Sequence, residues 1–405
     1  MPNQIAPLPR PFVLAVALVA VNLLAACGGS GSDSTPGEHD PGAFGPPASV
    51  AEWQWQLPAG FAPPRVPADN PMSTAKVELG RHLFHDPRLS ADGTLACSGC
   101  HEQVSAFSDG RSLSRGVTGQ VHPRNSLHLT NVAYRFTLDW ANPQPRTLEA
   151  QMLTPLFGTA PVEMGINDGN HATVLERFRT DADYRARFAE AFAGETEPVS
   201  WDNIVKAIAA WERTLIAADS RFDRYRAGQT TLDEAELRGM ALFFGERGQC
   251  SQCHGSVNFD GQFVDSTTVA LPVPEFHNTG LFNIGDTGAY PEPNRGIFEF
   301  TGQPTDMGRF RAPSLRNVAL SAPYMHDGSM GTLETVLAFY AAGGREVGNG
   351  PYAGDGRRNP FKDTRLAQIQ LDAQDQRDLI AFLKTLTDES FVSDLRFRDP
   401  FAPAP

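Results

Sequence analysis

Cysteine is scarce in this chain, and its placement excludes a disulfide framework. Among 405 residues there are five cysteines. Four fall in two short runs, Cys97-Ser98-Gly99-Cys100-His101 and Cys250-Ser251-Gln252-Cys253-His254, so that Cys27 has no partner. Basic side chains are also in the minority: 34 Lys and Arg stand against 47 Asp and Glu, a formal net charge of −13. That balance argues against nucleic acid or an anionic membrane surface as a partner. It suits a basic patch on a protein, or plain solubility. A membrane-spanning run is missing as well, because the apolar stretch that includes Phe12 to Val21 has about 15 residues where a span needs roughly 20.

What is present is a repeated Cys-x-x-Cys-His signature, the attachment pattern of c-type haem. Two thiols at this separation reach the two vinyl groups of one porphyrin, and the adjacent His offers an axial nitrogen to the iron. A thioredoxin-like pair does not need the His, and a zinc site would need matched ligand pairs that the chain lacks. The sequence therefore predicts two covalently bound haems c, through Cys97, Cys100 and His101 and through Cys250, Cys253 and His254.

Arg10, the apolar run and Leu24-Ala25-Ala26-Cys27 resemble a bacterial lipoprotein signal, with Cys27 as the lipidated residue of a processed segment 1–27. Gly28, where an inner-membrane retention signal carries Asp, resembles lipoproteins sent to the outer membrane. The expected location is periplasm-facing, with the lipid as the only membrane contact. Residues 28–57 begin as a Gly, Ser, Pro and Asp tether. The remaining 340 or so residues suffice for two domains of common size, read as a haem domain at 58–225 and another at 226–400.

The fold class expected is mainly α, with long irregular loops. Ser73 is placed to cap a helix carrying Val77, Leu79, Leu83 and Phe84, and Asn203 to Leu215 repeats Ile204, Ile208, Trp211 and Leu215 at helical spacing. Thr231 and Glu234 form a capping-box pattern before Leu237, Met240 and Phe244. Leu333 to Tyr340 and Asp375 to Leu386 complete the helices. Stretches 102–147 and 255–330 carry no sustained period, and long loops of this kind usually carry function. Trp211 reads as core; Trp53 and Trp55 lie in the approach to the fold.

Pro313-Ser314-Leu315-Arg316-Asn317, then Pro323-Tyr324-Met325-His326-Asp327-Gly328, then Thr332-Leu333-Glu334 follow the second haem run. This succession resembles the bacterial di-haem cytochrome c peroxidase and MauG superfamily, over about Pro58 to Leu386. Ordinary members place an axial Met where this chain has Tyr340, and a Tyr there resembles the MauG and MbnH-like branch. The Pro67 to Met72 opening and the His122-Pro123-Arg124-Asn125 loop are similar to the MbnH-like enzymes. The resemblance implies two cytochrome-c-like haem domains, with His254 and Tyr340 on the second iron and His101 on the first. Phenolate oxygen stabilises oxidised iron where thioether sulfur favours the reduced form.

By the same resemblance Gln151, Pro155 and Glu163 face the open side of the first, peroxide-reacting haem. A carboxylate there can take a proton from hydrogen peroxide and return it to the departing oxygen. Trp140 corresponds to an indole between the haems that relays oxidising equivalents. Asn125, with backbone oxygens of Arg311 and Pro313, corresponds to a calcium site. Without the resemblance, Tyr340 and Trp140 read as ordinary aromatics, Glu163 as a loop carboxylate and Asn125 as a turn residue.

The activity implied is a di-haem peroxidase that uses hydrogen peroxide to form a high-valent di-haem state and oxidises a partner protein at long range, converting Trp to kynurenine. The implied substrate is a periplasmic or outer-membrane protein, with an MbnP-like copper-binding protein as the model. One alternative is a detoxifying cytochrome c peroxidase fed by a small cytochrome, with His122 as a ligand that blocks the peroxide site. Another is a non-enzymatic di-haem electron carrier.

Overall fold

Eleven helices and one short ribbon organise residues 53–403, which the computed structural model describes apart from residues 59 and 145. The signal segment with Cys27 and the tether as far as residue 52 lie outside the described residues. The helices are α1 (Thr74–His85), α2 (Leu148–Phe157), α3 (His171–Arg179), α4 (Ala182–Ala191), α5 (Trp201–Glu212), α6 (Arg221–Arg226), α7 (Glu234–Phe244), α8 (Phe298–Thr301), α9 (Leu333–Ala342), α10 (Ala373–Lys384) and α11 (Glu389–Ser393). Strands β1 (Glu346–Val347) and β2 (Gly354–Asp355) pair antiparallel, Glu346 opposite Asp355. None of the described helices is long and apolar enough to cross a membrane.

Local chemistry sets where these helices begin. Ser73 caps α1 by accepting from the Lys76 N–H at 3.2 Å, as the sequence predicts. The helix expected at Asn203 starts earlier, at Trp201, because Ser200 accepts from the Asn203 N–H at 3.3 Å. Leu215 lies beyond its end. The capping box before α7 is Asp233 with Glu236, not Thr231 with Glu234. Asp233 accepts from the Glu236 N–H at 2.9 Å, and Glu236 accepts from the Asp233 N–H at 2.8 Å. The irregular stretches hold mostly single 3₁₀ turns.

Two crossing helix pairs carry the two main cores. In the first, α1 crosses α5 and buries Leu79, Leu83 and Phe84 against Ile204, Ile208 and Trp211, all at most 1% exposed. In the second, α7 crosses α10 and buries Phe243 against Leu379 and Phe382, again at most 1% exposed. Each such side chain contributes about 1.5–3 kcal/mol when fully buried. Both crossings depend on a glycine. A Cβ on Gly80 would strike the Ala207 carbonyl oxygen and the Trp211 Cβ; one on Gly239 would strike the Asp378 carbonyl oxygen and the Phe382 Cβ. Only glycine lets these backbones approach so closely.

A third, smaller cluster joins Leu281, Phe282, Tyr290, Phe310, Met330 and Phe339, with Trp140 and Tyr340 packed at its edge. The end of the chain crosses the boundary read at residue 225. Phe391 and Phe397, 2% and 3% exposed, belong to the first core rather than the second.

Candidate active site

Each haem run is a 3₁₀ turn that folds its histidine back. The His101 N–H donates to the Cys97 carbonyl at 3.1 Å, and the His254 N–H to the Cys250 carbonyl at 2.9 Å. Next, the chain turns through left-handed residues, Phe107 at φ 64° and Phe259 at φ 53°. Their carbonyls face the imidazoles. His101 Nδ1 lies 2.8 Å from the Phe107 oxygen, and His254 Nδ1 lies 3.0 Å from the Phe259 oxygen. A carbonyl accepts only, so Nδ1 carries the proton and Nε2 presents its lone pair, the form an iron binds. Burial keeps both rings neutral, lowering His101 and pushing His254 down to about 4. Burial pushes all four thiols up, Cys100 and Cys253 to about 11. Among the described residues no cluster of His, Cys, Asp and Glu is arranged as a metal site of the zinc kind.

Helices α2 and α9, one in each half, share a register. Thr147 caps α2 and Thr332 caps α9, each accepting from the N–H three residues on at 3.2 Å. Both helices then read Leu-Glu, and the eighth residue after the cap is Pro155 in α2 and Tyr340 in α9. A cavity lined by Tyr340 also contains Cys250, Cys253 and His254. The Tyr340 hydroxyl makes no hydrogen bond to any described residue. Pro155, with no donor and no long side chain, offers nothing comparable.

Around Pro155 the loop folds back so that its carbonyl accepts from the Met164 N–H at 2.9 Å, setting Glu163 beside the helix. The Glu163 carboxylate is half-exposed, and its Oε1 lies 3.3 Å from His122 Nε2. His122 Nδ1 stands 3.2 Å from the Arg124 N–H and 3.0 Å from the Arg124 carbonyl. The N–H and the carbonyl of Arg124, from two successive peptide groups, thus offer Nδ1 a donor and an acceptor. With Nδ1 accepting, or with the ring charged, Nε2–H points at Glu163. Gln151 Nε2 stands 3.5 Å from Asp139 Oδ1, a carboxyl that burial raises above its ordinary range.

Trp140 is pinned where the two halves meet. Its Nε1–H donates to the Asn125 carbonyl at 2.7 Å, and its own carbonyl accepts from the Arg311 N–H at 2.8 Å. Asn125 N–H in turn donates to the His326 carbonyl at 2.8 Å. Asn125, Arg311, Pro313 and Trp140 share the wall of the Tyr340 cavity. The Asn125 amide donates to the Arg111 carbonyl at 2.8 Å, and its oxygen accepts no hydrogen bond from a described residue.

The residues fit haem on a separate ground. Arg135 and Arg311 are 3% and 2% exposed, and no described carboxylate forms an ion pair with either. Arg135 Nε and Arg311 Nη2 are buried without a partner, and burial lowers the Arg135 pKa to about 9. Two buried guanidiniums without a counter-ion require an anion, which haem propionates would supply. Sequence reasoning named Arg311 only for its backbone oxygen and missed its guanidinium, Arg135, the His122–Glu163 contact and Asp139. Their signals are tertiary: charge spacing alone does not reveal which arginine is buried or which loop meets which.

Residues 74–231 match the family described as di-haem cytochrome c peroxidase. The chain is 35% identical to cytochrome-c peroxidase IdrP1 of Denitromonas iodatirespirans over 85% of this chain and 90% of that protein. It is 32% identical to the methylamine utilization protein MauG of Methylorubrum extorquens over 94% of this chain and 96% of that protein. A crystal structure of a MauG-like protein associated with microbial copper homeostasis is 54% identical and superimposes with a TM-score of 0.85, covering 86% of this chain and all of that one. The mainly helical, cytochrome-c-like fold, the paired haem runs and near full-length similarity make this chain a member of the di-haem cytochrome c peroxidase and MauG family, haem-dependent oxidoreductases that carry two haems c and act on peroxide.

Proposed function

We propose that this enzyme uses hydrogen peroxide to oxidise a partner protein at long range, in the manner of MbnH-like modification of Trp to kynurenine. The observation that carries it is the register of α2 and α9. In this reading Pro155 stands at the first haem as Tyr340, which lines one cavity with Cys250, Cys253 and His254, stands at the second. The two haems supply the centre that meets peroxide and a second centre that stores an oxidising equivalent.

The chain's own residues divide the remaining tasks. Pro155 leaves room for peroxide over the first haem, held by Cys97, Cys100 and His101. Glu163 takes a proton from hydrogen peroxide and returns it to the departing oxygen, held in position by His122. Gln151, backed by Asp139, orients the peroxide. Trp140 bridges the halves, and Cys250, Cys253, His254 and Tyr340, which line one cavity, would hold the second haem, whose oxidised iron a phenolate oxygen would favour. Asn125 with the carbonyls of Arg311 and Pro313 forms the calcium site, which would stiffen the contact at Trp140. The domains at 58–225 and 226–400, with the last residues returning to the first, are the two haem modules. The protein is a periplasm-facing lipoprotein anchored through Cys27, in the outer membrane as Gly28 implies. A similar protein associated with copper homeostasis supports a copper-binding, MbnP-like partner.

The detoxifying cytochrome c peroxidase is the second reading, favoured by the peroxidase relatives and by the closeness of His122 to the peroxide face. The electron-carrier alternative does not fit a family that acts on peroxide. The decisive experiment is a visible and near-infrared spectrum of the resting diferric protein before and after one equivalent of hydrogen peroxide, without reductant. A fast change with a new near-infrared band is expected, slowed about 10²–10⁴-fold in Glu163→Gln. Silence until one electron is added would select the detoxifying reading, with His122 as the blocking ligand.

A further inference from the structure

An aromatic line leads outward from Trp140 through the third cluster. Ring centroids are 6.5 Å apart from Trp140 to His326, 6.3 Å from His326 to Tyr290, 5.5 Å from Tyr290 to Phe282 and 5.9 Å from Phe282 to Tyr352. His326, Tyr290 and Phe282 are buried, whereas Tyr352 is 45% exposed. A second fact is independent of that line. Of the seven tyrosines and five tryptophans, Tyr352 is the only one that reaches the exposed class. The aromatic group around Trp211 in the first half, with Phe84 and Phe107, contains no exposed Tyr or Trp.

Oxidation chemistry ranks the stations on this line. Phenylalanine is too hard to oxidise to hold a positive charge, and the Arg345 guanidinium lies 4.4 Å from the Phe282 ring centroid and opposes one further. Phe282 is therefore a bridge. Tyr290 donates its hydroxyl to Asn278 Oδ1 at 2.8 Å and accepts from the Leu281 N–H at 3.1 Å. An amide oxygen is a poor base, so a phenol oxidised there has nowhere to release its proton. Tyr352 faces water, which accepts a proton readily.

We propose that Tyr352 is the surface exit of this enzyme, the residue through which electrons enter from a docked protein that presents an indole or phenol ring. The proposal rests on the protein-oxidising reading above. Tyr352 gives one electron inward along the line to the peroxide-oxidised centre and its proton to water. The partner's ring then returns one electron to the tyrosyl radical, which recovers a proton. Two passes deliver two electrons, which with two protons reduce one hydrogen peroxide to two waters. The surrounding charges are already matched, with Arg357 bridging Glu346 at 2.6 Å and Asp355 at 2.7 Å. The face therefore suits a ring inserted beside Tyr352 better than a strongly charged patch.

The test treats the intact holoprotein with one equivalent of hydrogen peroxide and a nitroso spin trap, without partner, and maps trapped adducts by peptide mass spectrometry. The expected result is an adduct on Tyr352 that disappears in Tyr352→Phe and falls in Phe282→Leu, with resting spectra unchanged in both variants. Tyr352 labelling that persists in Phe282→Leu would mean attack from solution and would overturn the exit. An adduct elsewhere, unaffected by Tyr352→Phe, would overturn the exit and leave the protein-oxidising reading standing. No protein adduct at all would overturn both.

Discussion

The N-terminal and C-terminal halves are built on one plan and differ at the places where chemistry is decided. Each has a helix with a glycine crossing, Gly80 and Gly239, followed by a haem run and a left-handed phenylalanine carbonyl that orients the histidine. Asn131 and Asn317, both left-handed, then seize the chain after the last helix. Their N–H groups donate to the Leu215 and Leu386 carbonyls at 2.9 and 3.0 Å. Their side-chain oxygens accept from the Ala217 and Asp388 N–H groups, both at 2.7 Å. Counting from those anchors, Trp211 matches Phe382, Ala207 matches Asp378 and Glu212 matches Leu383. Within this repeat Pro155 faces Tyr340 as its counterpart. Duplicate scaffolds thus orient the two attachment histidines alike and differ at residues 155 and 340, and under the proposed function the difference in reactivity rests on these few residues.

The largest expected effect comes from erasing that difference. Tyr340→Met replaces an oxygen donor by a thioether and should raise the second haem's potential on the order of 200 mV. A spectroelectrochemical titration checks it, and an unchanged potential would remove Tyr340 from the iron. Next in size are the matched crossings. Gly80→Ala and Gly239→Ala should each cost about 1–3 kcal/mol through overpacking against carbonyls, outweighing the helix propensity gained. Urea unfolding of the two variants would show similar losses if the repeat is energetic as well as geometric, and dissimilar ones if only one half limits stability.

A pH-dependent test isolates Glu212, which stands where the second half has Leu383. Burial, foremost, pushes its carboxyl up to about 8 from an ordinary value of 4.5. The folded state therefore binds the proton more tightly than the unfolded one. Stability is fully present below about pH 4.5 and declines as pH rises through about 8. The slope for one proton is at most about 1.4 kcal/mol per pH unit. Glu212→Gln should flatten it, measured as urea midpoints at pH 5 and pH 8; equal slopes in both proteins would count against a buried neutral carboxyl.

The haem runs were legible because covalent attachment demands fixed local spacing, and the Ser73 cap because a helix start is a local event. Tyr340 and Glu163 were legible only through resemblance, since nothing in their immediate neighbours distinguishes a ligand or proton carrier from a packed or solvated side chain. The register of α2 with α9 rests on the caps at Thr147 and Thr332, since Pro155 and Tyr340 share no chemistry of their own. The capping box before α7 was misread by two residues, since Thr and Asp both cap and only the fold chooses between them. His122 against Glu163, and Arg135 beside Arg311, are contacts between loops that no periodicity encodes.

Phe391 and Phe397 carry a consequence for biogenesis. A chain synthesised from its N-terminus delivers Phe391 and Phe397 long after Phe107 and the first haem run, yet these two rings complete the core around them. Until these rings dock, that core is incomplete beside Phe107. The first half therefore does not complete its core alone, and its closure depends on residues supplied by the far end of the second.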